Sequence, residues 1–273
     1  MPAGGKPDRP EIDRCLCVIR GGGDLGTGVA WRLVQAGFPV AVLELERPLT
    51  VRRTVALSSA VIDGEVEIEG MLGFRAGNGV HVAEILAAGA VPVLAGVEPA
   101  YLDPSVLIDA RMAKRNLGTR LSDARLVIGL GPGFVAPHDC HAVIETQRGP
   151  RLGRVIRDGS AAPNTGTPGE VGGRGAERVL RAERAGGVRW VASIGEVVVG
   201  GQLLGEVDGQ SILAPFDGVV RGLIAEGSEV PAGLKIGDVD PRTDVAVDEI
   251  SDKALAVGGG VLEAVMSWWS RGQ

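Results

Sequence analysis

A chain that runs an apolar strand into three glycines and then into an amphipathic helix has few folds open to it. Residues 15–46 read CLCVIRGGGDLGTGVAWRLVQAGFPVAVLELE. The apolar run Cys15 to Ile19 leads to Gly21, Gly22 and Gly23, after which Leu25, Val29, Leu33 and Val34 recur at helical spacing. Gly37 stops that helix in the manner of a C-cap, and a second apolar run, Val40 to Leu43, ends at Glu44. Strand, glycine turn, helix and strand make the first half of a Rossmann unit.

Gly21, Gly23 and Gly26 fit G-x-G-x-x-G, and each has its own task. Gly21 permits the tight turn, Gly23 lets the backbone approach a diphosphate, and Gly26 lets the helix lie close on the strand. The helix N-terminus then offers unpaired N–H groups and a positive dipole end to an anion. Glu44 falls 18 residues after Gly26, where an acid bonds ribose hydroxyls. The competing reading is a tight turn that binds nothing; the strand, the helix and the acid favour a nucleotide. Asp24 stands inside the loop, where its carboxylate repels a diphosphate unless it turns to cap the helix.

The 273 residues allow one large or two modest domains, and only 3% are aromatic, so aliphatic side chains must fill the core. Few aromatics and a net charge of −6 speak against a nucleic-acid partner, which wants stacking platforms and a basic face. No apolar run is long enough to cross a bilayer, and the first fourteen residues are polar and rich in Pro and Gly, a frayed tail rather than a signal peptide. Three cysteines make no disulfide framework. The expectation is a soluble cytoplasmic protein that neither binds nucleic acid nor enters a membrane.

Further along, Arg47, Arg52 and Arg53 follow Glu44, either as a solvated loop or as cations that meet phosphates at the carboxyl end of the second strand. Val61 to Ile68 alternates like a short strand, Val80 to Ala88 is helical, and Val91 to Leu94 is a buried strand. Val106 to Ile108 runs into Asp109, Arg111, Lys114, Arg115 and Asn116, and Leu126 to Ile128 runs into a second glycine loop, Gly129, Gly131 and Gly133. If these strands are parallel, both glycine loops and the basic stretch open on the same edge of the sheet, where ligands of such folds sit. The expected binding set is therefore Gly21, Gly23, Asp24, Gly26, Glu44, Arg52, Arg53, Asp109, Lys114, Arg115, Gly129, Gly131 and Gly133. His138, Asp139, Cys140 and His141 are adjacent and cannot all face one metal, so no metal site is expected. Cys15 and Cys17 read as packing residues, and Cys140, the one thiol in a loop, is the weak catalytic or sulfur-handling candidate.

Gly159 to Gly175 is a Gly/Pro/Ser/Thr-rich stretch, either a linker or a loop folded back over the crevice. Beyond it the chain repeats itself: IGEVVVGGQLLGEV from Ile194 and EGSEVPAGLKIGDV from Glu226 share their Gly and Val positions and an apolar–Gly–acid–Val ending. Short strands related by duplication predict a small β sandwich. The pattern resembles the barrel-sandwich fold of biotinyl and lipoyl carrier domains. Those carriers hold a lysine on the hairpin between the halves; Glu206 to Ser211 has none, so covalent attachment is not expected. From Ser251 the pattern is helical, interrupted at Gly258, Gly259 and Gly260, either as a helix break or as another anion-facing helix start.

The resulting expectation is an α/β chain in five parts: a disordered tail (1–14), a Rossmann-like parallel-sheet nucleotide-binding domain (15–158), a Gly/Pro-rich loop and linker (159–185), a small all-β, non-carrier barrel-sandwich domain (186–240) and a C-terminal helical segment (241–273).

The motifs VIRGGGDLGTGVAWRL, ELERPLTVRRTVA, DARMAKRNLGTR, VIGLGPGF, DCHAVIETQRG, APNTG, APFDGVVRGLI, LKIGDVDPR and ISDKALAVGGGVLEA occur in this order between about Val18 and Glu263. Through them the chain resembles the YqeB-type accessory proteins of selenium-dependent molybdenum hydroxylase systems. Its front half is also distantly similar to the Rossmann domain of xanthine dehydrogenase accessory proteins. Those have a further N-terminal domain without a counterpart in these 273 residues, so their sulfuration chemistry is not carried over. The resemblance implies a maturation factor that helps insert or modify the molybdenum cofactor, with selenium involved or not. Its partners would be a molybdenum hydroxylase or other cofactor-maturation proteins. The ligand would be NAD(P) or a molybdopterin dinucleotide.

Two other function classes stand beside this one. An NAD(P)-dependent oxidoreductase acting on a small molecule would need a proton donor near the nicotinamide, and only His138, His141 and the single tyrosine, Tyr101, offer one. A pure interaction protein would use the sandwich as its docking face.

Overall fold

The structure, a computed structural model, describes residues 12–77, 79–164, 166 and 172–271. Most of the expected N-terminal tail and part of the Gly/Pro-rich stretch (165 and 167–171) lie outside the described residues.

The chain begins with β1 (Cys17–Arg20), α1 (Asp24–Gln35) and β2 (Val40–Glu44), the strand–helix–strand unit read from the sequence. A short α2 (Ala60–Asp63), the hairpin β3 (Glu65–Ile68) and β4 (Met71–Arg75), α3 (Gly79–Ala87) and β5 (Val91–Ala95) follow. Then come β6 (Val106–Asp109), β7 (Leu126–Leu130), β8 (Ala142–Ile144) and β9 (Val155–Ile156). These nine strands form one sheet in the order β3-β4-β5-β2-β1-β6-β7-β8-β9. The seven from β4 to β8 are parallel, while β3 and β9 pair antiparallel at the two edges. Strand order reverses beside β1, so the crevice outside its carboxyl end is where a Rossmann-like sheet admits a ligand.

The expected sandwich follows as two four-stranded antiparallel sheets, built from β10 (Val179–Arg181), β11 (Gly186–Trp190), β12 (Val197–Val198), β13 (Leu203–Val207), β14 (Gln210–Leu213), β15 (Gly218–Leu223), β16 (Glu229–Val230) and β17 (Lys235–Asp240). Their orders are β10-β17-β15-β12 and β14-β13-β11-β16. Aliphatic side chains of both sheets, among them Leu204, Val220, Leu223 and Ile236, close a core separate from that of the large sheet. The pairing of β10 with β17 starts the sandwich ladder at Val179, inside the span read as linker. The turn between β13 and β14 is Asp208-Gly209 and carries no lysine.

The chain then returns to the first domain. The final helix, α4 (Asp252–Trp269), buries Ala254, Val257, Val261 and Val265 in the core of the large sheet. Here the expected break at Gly258–Gly260 is corrected: α4 runs through all three glycines without interruption. Close approach explains them. A Cβ on Gly28 of α1 would lie 2.7 Å from Ala254, one on Gly258 would lie 2.5 Å from the Gly28 carbonyl, and one on Gly260 would lie 2.0 Å from the Gly153 carbonyl. Two helices can touch backbone to backbone only where side chains are missing. Phe38, just past α1, meets Trp269 edge to face at 5.8 Å. Ala254 and Gly258 at Gly28, and Trp269 at Phe38, make the helices run in the same sense, so both N-termini open at the carboxyl edge of the sheet.

Packing here sets a paired prediction. Gly260→Val forces a side chain into the Gly153 backbone and is expected to lower stability by about 1–3 kcal/mol. Gly259 meets nothing within 4 Å, so Gly259→Ala should be neutral or gain about 0.5–1 kcal/mol from helix propensity. Denaturant unfolding of the two variants checks this; equal effects would contradict the close packing of α4.

Candidate functional site

At the carboxyl ends of β1, β2, β5 and β6 lies a crevice of about 620 Å³. Gly21 and Gly23 form its floor, and Leu25, Leu43, Leu49, Val97 and Leu117 give it aliphatic walls, suited to a flat base. Gly21 (φ +101°) turns the chain against Ala110, and a Cβ on Gly26 would lie 2.0 Å from the Gly21 carbonyl, so these two glycines serve turn and packing. Gly23 is different. Its φ of −72° suits any residue, and a Cβ there would meet only Thr50 Oγ1, at 3.6 Å. The fold does not need glycine at this point, so what Gly23 keeps open is space in the crevice. It is also the N-cap of α1 and supplies no capping side chain, leaving the first-turn N–H groups to another acceptor.

Glu44 lines the crevice as its position at the end of β2 requires. Its Oε2 accepts the Gly22 N–H at 2.8 Å and its Oε1 the Leu45 N–H at 2.7 Å. The carboxylate thus fastens the glycine loop to β2 and has only its remaining lone pairs for a ribose. Asp24 does not cap α1; its Oδ2 pairs with Arg52 Nη1 at 3.1 Å, which offsets the charge that would repel a diphosphate.

Several expected binding residues have other occupations. Arg53 is half-buried and lines neither the crevice nor the cavity described below; its Nε donates to the Leu223 carbonyl of β15 at 2.9 Å and ties the sandwich to the sheet domain. Asp109 is 2% exposed and takes hydrogen bonds from Arg111 Nε at 3.1 Å and from Thr119 Oγ1 at 2.7 Å. It is a buried anchor for Arg111, which faces the crevice. Arg115 lines neither the crevice nor the cavity described below. The second glycine loop is built for geometry. A Cβ on Gly129 would lie 2.4 Å from the Phe134 ring, one on Gly131 (φ +72°) 2.5 Å from Thr146 Oγ1, and one on Gly133 (φ +110°) 2.6 Å from the Arg115 backbone. Sequence reasoning missed Arg20, the last residue of β1, which lines the crevice while donating to Thr119 Oγ1 and Glu98 Oε2.

A second cavity, of about 570 Å³, adjoins the crevice, with Asp24 and Met112 lining both. It lies between the sheet domain, the sandwich and the N-terminus of α4. Pro132 of the second glycine loop and Ala162, Pro163 and Asn164 of the Gly/Pro-rich stretch form part of its wall, so the described start of that stretch does fold back onto the site. Ala162 N–H is held there by Glu145 Oε2 at 2.8 Å.

Seven cations line this cavity against two carboxylates, Asp24 and Asp238. Arg52 is 8% exposed, paired with Asp24, and its Nε has no partner among the described residues. Arg178 and Lys235 share Asp238, at 2.9 and 3.5 Å. Arg221 pairs with the fully buried Asp240 at 3.1 Å, and Arg148 grips Asp252 through both guanidinium Nη atoms at 2.7 and 2.9 Å. Lys114 reaches the Asn164 side-chain oxygen at 3.2 Å. Lys253 has no hydrogen-bond or ion-pair partner among the described residues. Burial, and then repulsion from Arg148, lowers its pKa; burial also lowers those of Lys235 and Arg221. Sequence reasoning found Arg52 and Lys114 here but not the others, whose positions depend on how the sandwich and α4 fold back. The one sequence signal was the helix start at Ser251, whose hydroxyl caps α4 by accepting the Ala254 N–H at 3.1 Å.

The catalytic candidate fares poorly. Cys140 is fully buried, and desolvation pushes its thiol up to about 11, the opposite of an activated nucleophile. His141 Nδ1 accepts the Val127 N–H at 2.9 Å, and burial lowers its pKa. Neither histidine nor Tyr101 lines the crevice or the cationic cavity. Among the described residues no His, Cys, Asp and Glu side chains gather as a metal site, and no helix is long and apolar enough to cross a membrane.

No protein-family model matches the chain. The chain is a homologue of the uncharacterized protein YqeB of Escherichia coli (strain K12), 46% identical over 273 aligned residues that cover 98% of this chain and 50% of that protein. The likeness to YqeB read from the ordered motifs is thereby borne out. The chain spans half the length of this curated relative.

Burial of Cys15, Cys17 and Cys140 predicts that the native protein does not react with a disulfide reagent such as DTNB within minutes, whereas the unfolded chain yields all three thiols. A thiol that reacts rapidly in the folded protein, and is lost in Cys140→Ala, would return Cys140 to the site.

Proposed function

We propose that the chain binds an anionic nucleotide at the carboxyl edge of its parallel sheet and acts as a maturation factor for a molybdenum hydroxylase. Open space at Gly23 carries the nucleotide reading, since neither backbone strain nor packing asks for glycine there. The base would lie between the aliphatic walls, with the Gly21–Gly26 turn and the N-terminus of α1 at the diphosphate. Arg20 and Arg111 are both in the lining, each already paired with a carboxylate, Glu98 and Asp109, and would meet the ligand through their remaining N–H groups. NAD(P) and a molybdopterin dinucleotide both have the chemistry this site fits. The molybdenum link, and selenium with it, rests on the YqeB-type resemblance alone.

The oxidoreductase reading is weaker on one observation: none of the three candidate proton donors lines the crevice. Holding and presenting a nucleotide needs no such donor.

Native mass spectrometry of the purified protein, followed by release and identification of the bound small molecule, tests the ligand class. A pterin nucleotide supports the maturation reading, and a nicotinamide dinucleotide with turnover supports the oxidoreductase. For whichever ligand is found, Gly23→Val should keep the parent melting temperature and lose about 1–3 kcal/mol of binding, tenfold or more. Gly131→Val should instead lose stability, by about 1–3 kcal/mol from strain at positive φ. Unchanged affinity in a folded Gly23→Val would remove the crevice from the account.

A further inference from the structure

We propose that the cationic cavity between the sheet domain, the sandwich and the N-terminus of α4 is a binding site for a phosphate-bearing group carrying more than one negative charge, with Lys253 and Lys114 as its direct contacts. This deepens the nucleotide reading: the cavity would take a phosphate group of a ligand whose body lies in the adjoining crevice.

Charge balance is the first argument. Adding Asp240 and Asp252, which pair with Arg221 and Arg148 from just outside the lining, with Arg242, which shares Asp240, and the buried Glu145, whose charge reaches Lys253, leaves eight cations facing five carboxylates. A surplus of three positive charges in a partly desolvated space is costly unless an anion offsets it. One carboxylate would leave most of it uncompensated, whereas a phosphate or diphosphate matches it.

Geometry is the second. The cationic groups come from separate stretches: Arg52 after β2, Lys114 after β6, Arg148 after β8, Arg178 before β10, Arg221 on β15, Lys235 on β17 and Lys253 on α4. A solvated charge cluster does not draw on so many elements or bury a guanidinium. Arg52 is more than nine-tenths buried yet leaves Nε without an acceptor, and Arg221 Nε is likewise buried and unpartnered among the described residues. The arginines of the lining and Lys235 already hold carboxylates, which leaves Lys253 and Lys114 to meet a ligand. Thr146, Gln147 and Ser251 add neutral polar groups to the same wall. The N-termini of α1 and α4 open beside it at Asp24 and Lys253, and their dipoles favour the same sign of charge.

Inorganic pyrophosphate is the direct probe, because it has neither base nor ribose and does not need the crevice. It should raise the melting temperature of the full chain and bind with measurable heat in calorimetry. Lys253→Gln and Lys114→Gln should each weaken it tenfold or more, with the unliganded melting temperature kept. Lys114 is exposed, so its variant folds even if Lys253→Gln does not. No binding to the parent, or parent-like binding by folded Lys114→Gln and Lys253→Gln, would overturn the proposal. Failure of the crevice reading looks different: the copurified nucleotide would bind Gly23→Val normally, while pyrophosphate binding and its loss in the lysine variants would stand.

Discussion

Backbone contact between α1 and α4 is the constraint on which the rest depends. Gly28 and Gly258 bring the main chains of the two helices together at distances that no side chain permits, and Gly260 does the same for α4 against Gly153 before β9. The final helix therefore lies in the core of the first domain although the whole sandwich intervenes in sequence. Because the two helices run in the same sense, their N-termini arrive together at the ligand edge of the sheet. The sandwich, held between β9 and α4, has to dock at that edge as well.

Its docking is made by the stretch that follows β2. Arg53 bonds the β15 backbone, Val51 packs on the sandwich core, and a Cβ on Gly222 would lie 2.6 Å from the Val51 carbonyl. One residue lies between Val51 and Arg53, and it turns the other way: Arg52 reaches Asp24 on α1 and the Glu249 carbonyl before α4. A single short segment thus joins sheet, sandwich and last helix. A largely desolvated ion pair such as Arg52–Asp24 contributes little net stability, yet removing one partner costs more than the pair contributes. It fixes where the domains sit more than how strongly they hold.

The sheet domain was legible because its signals are local. The period of α1, the three glycines and the apolar runs before Glu44, Asp109 and Leu130 each report on their own neighbours. The sandwich was legible through its internal repeat. The purposes of individual glycines and arginines were not. Gly23 and Gly131 look alike in sequence, yet one borders open space and the other would clash with Thr146, a residue of a different strand end. Arg52 and Arg53 are adjacent, yet they serve an aspartate on α1 and a carbonyl on β15. The cationic cavity was hidden for the same reason: its cations are scattered from residue 52 to residue 253 and meet only after α4 has folded back.

The central claim is that one ligand site is shared by the glycine loop of α1, the sandwich and the start of α4. Amide hydrogen exchange read by mass spectrometry, with and without the copurified nucleotide, tests it most directly. The account predicts ligand-dependent protection in peptides covering 21–26, 235–238 and 251–255 together. Protection confined to the glycine loop, with the sandwich and α4 peptides exchanging as in the free protein, would contradict it.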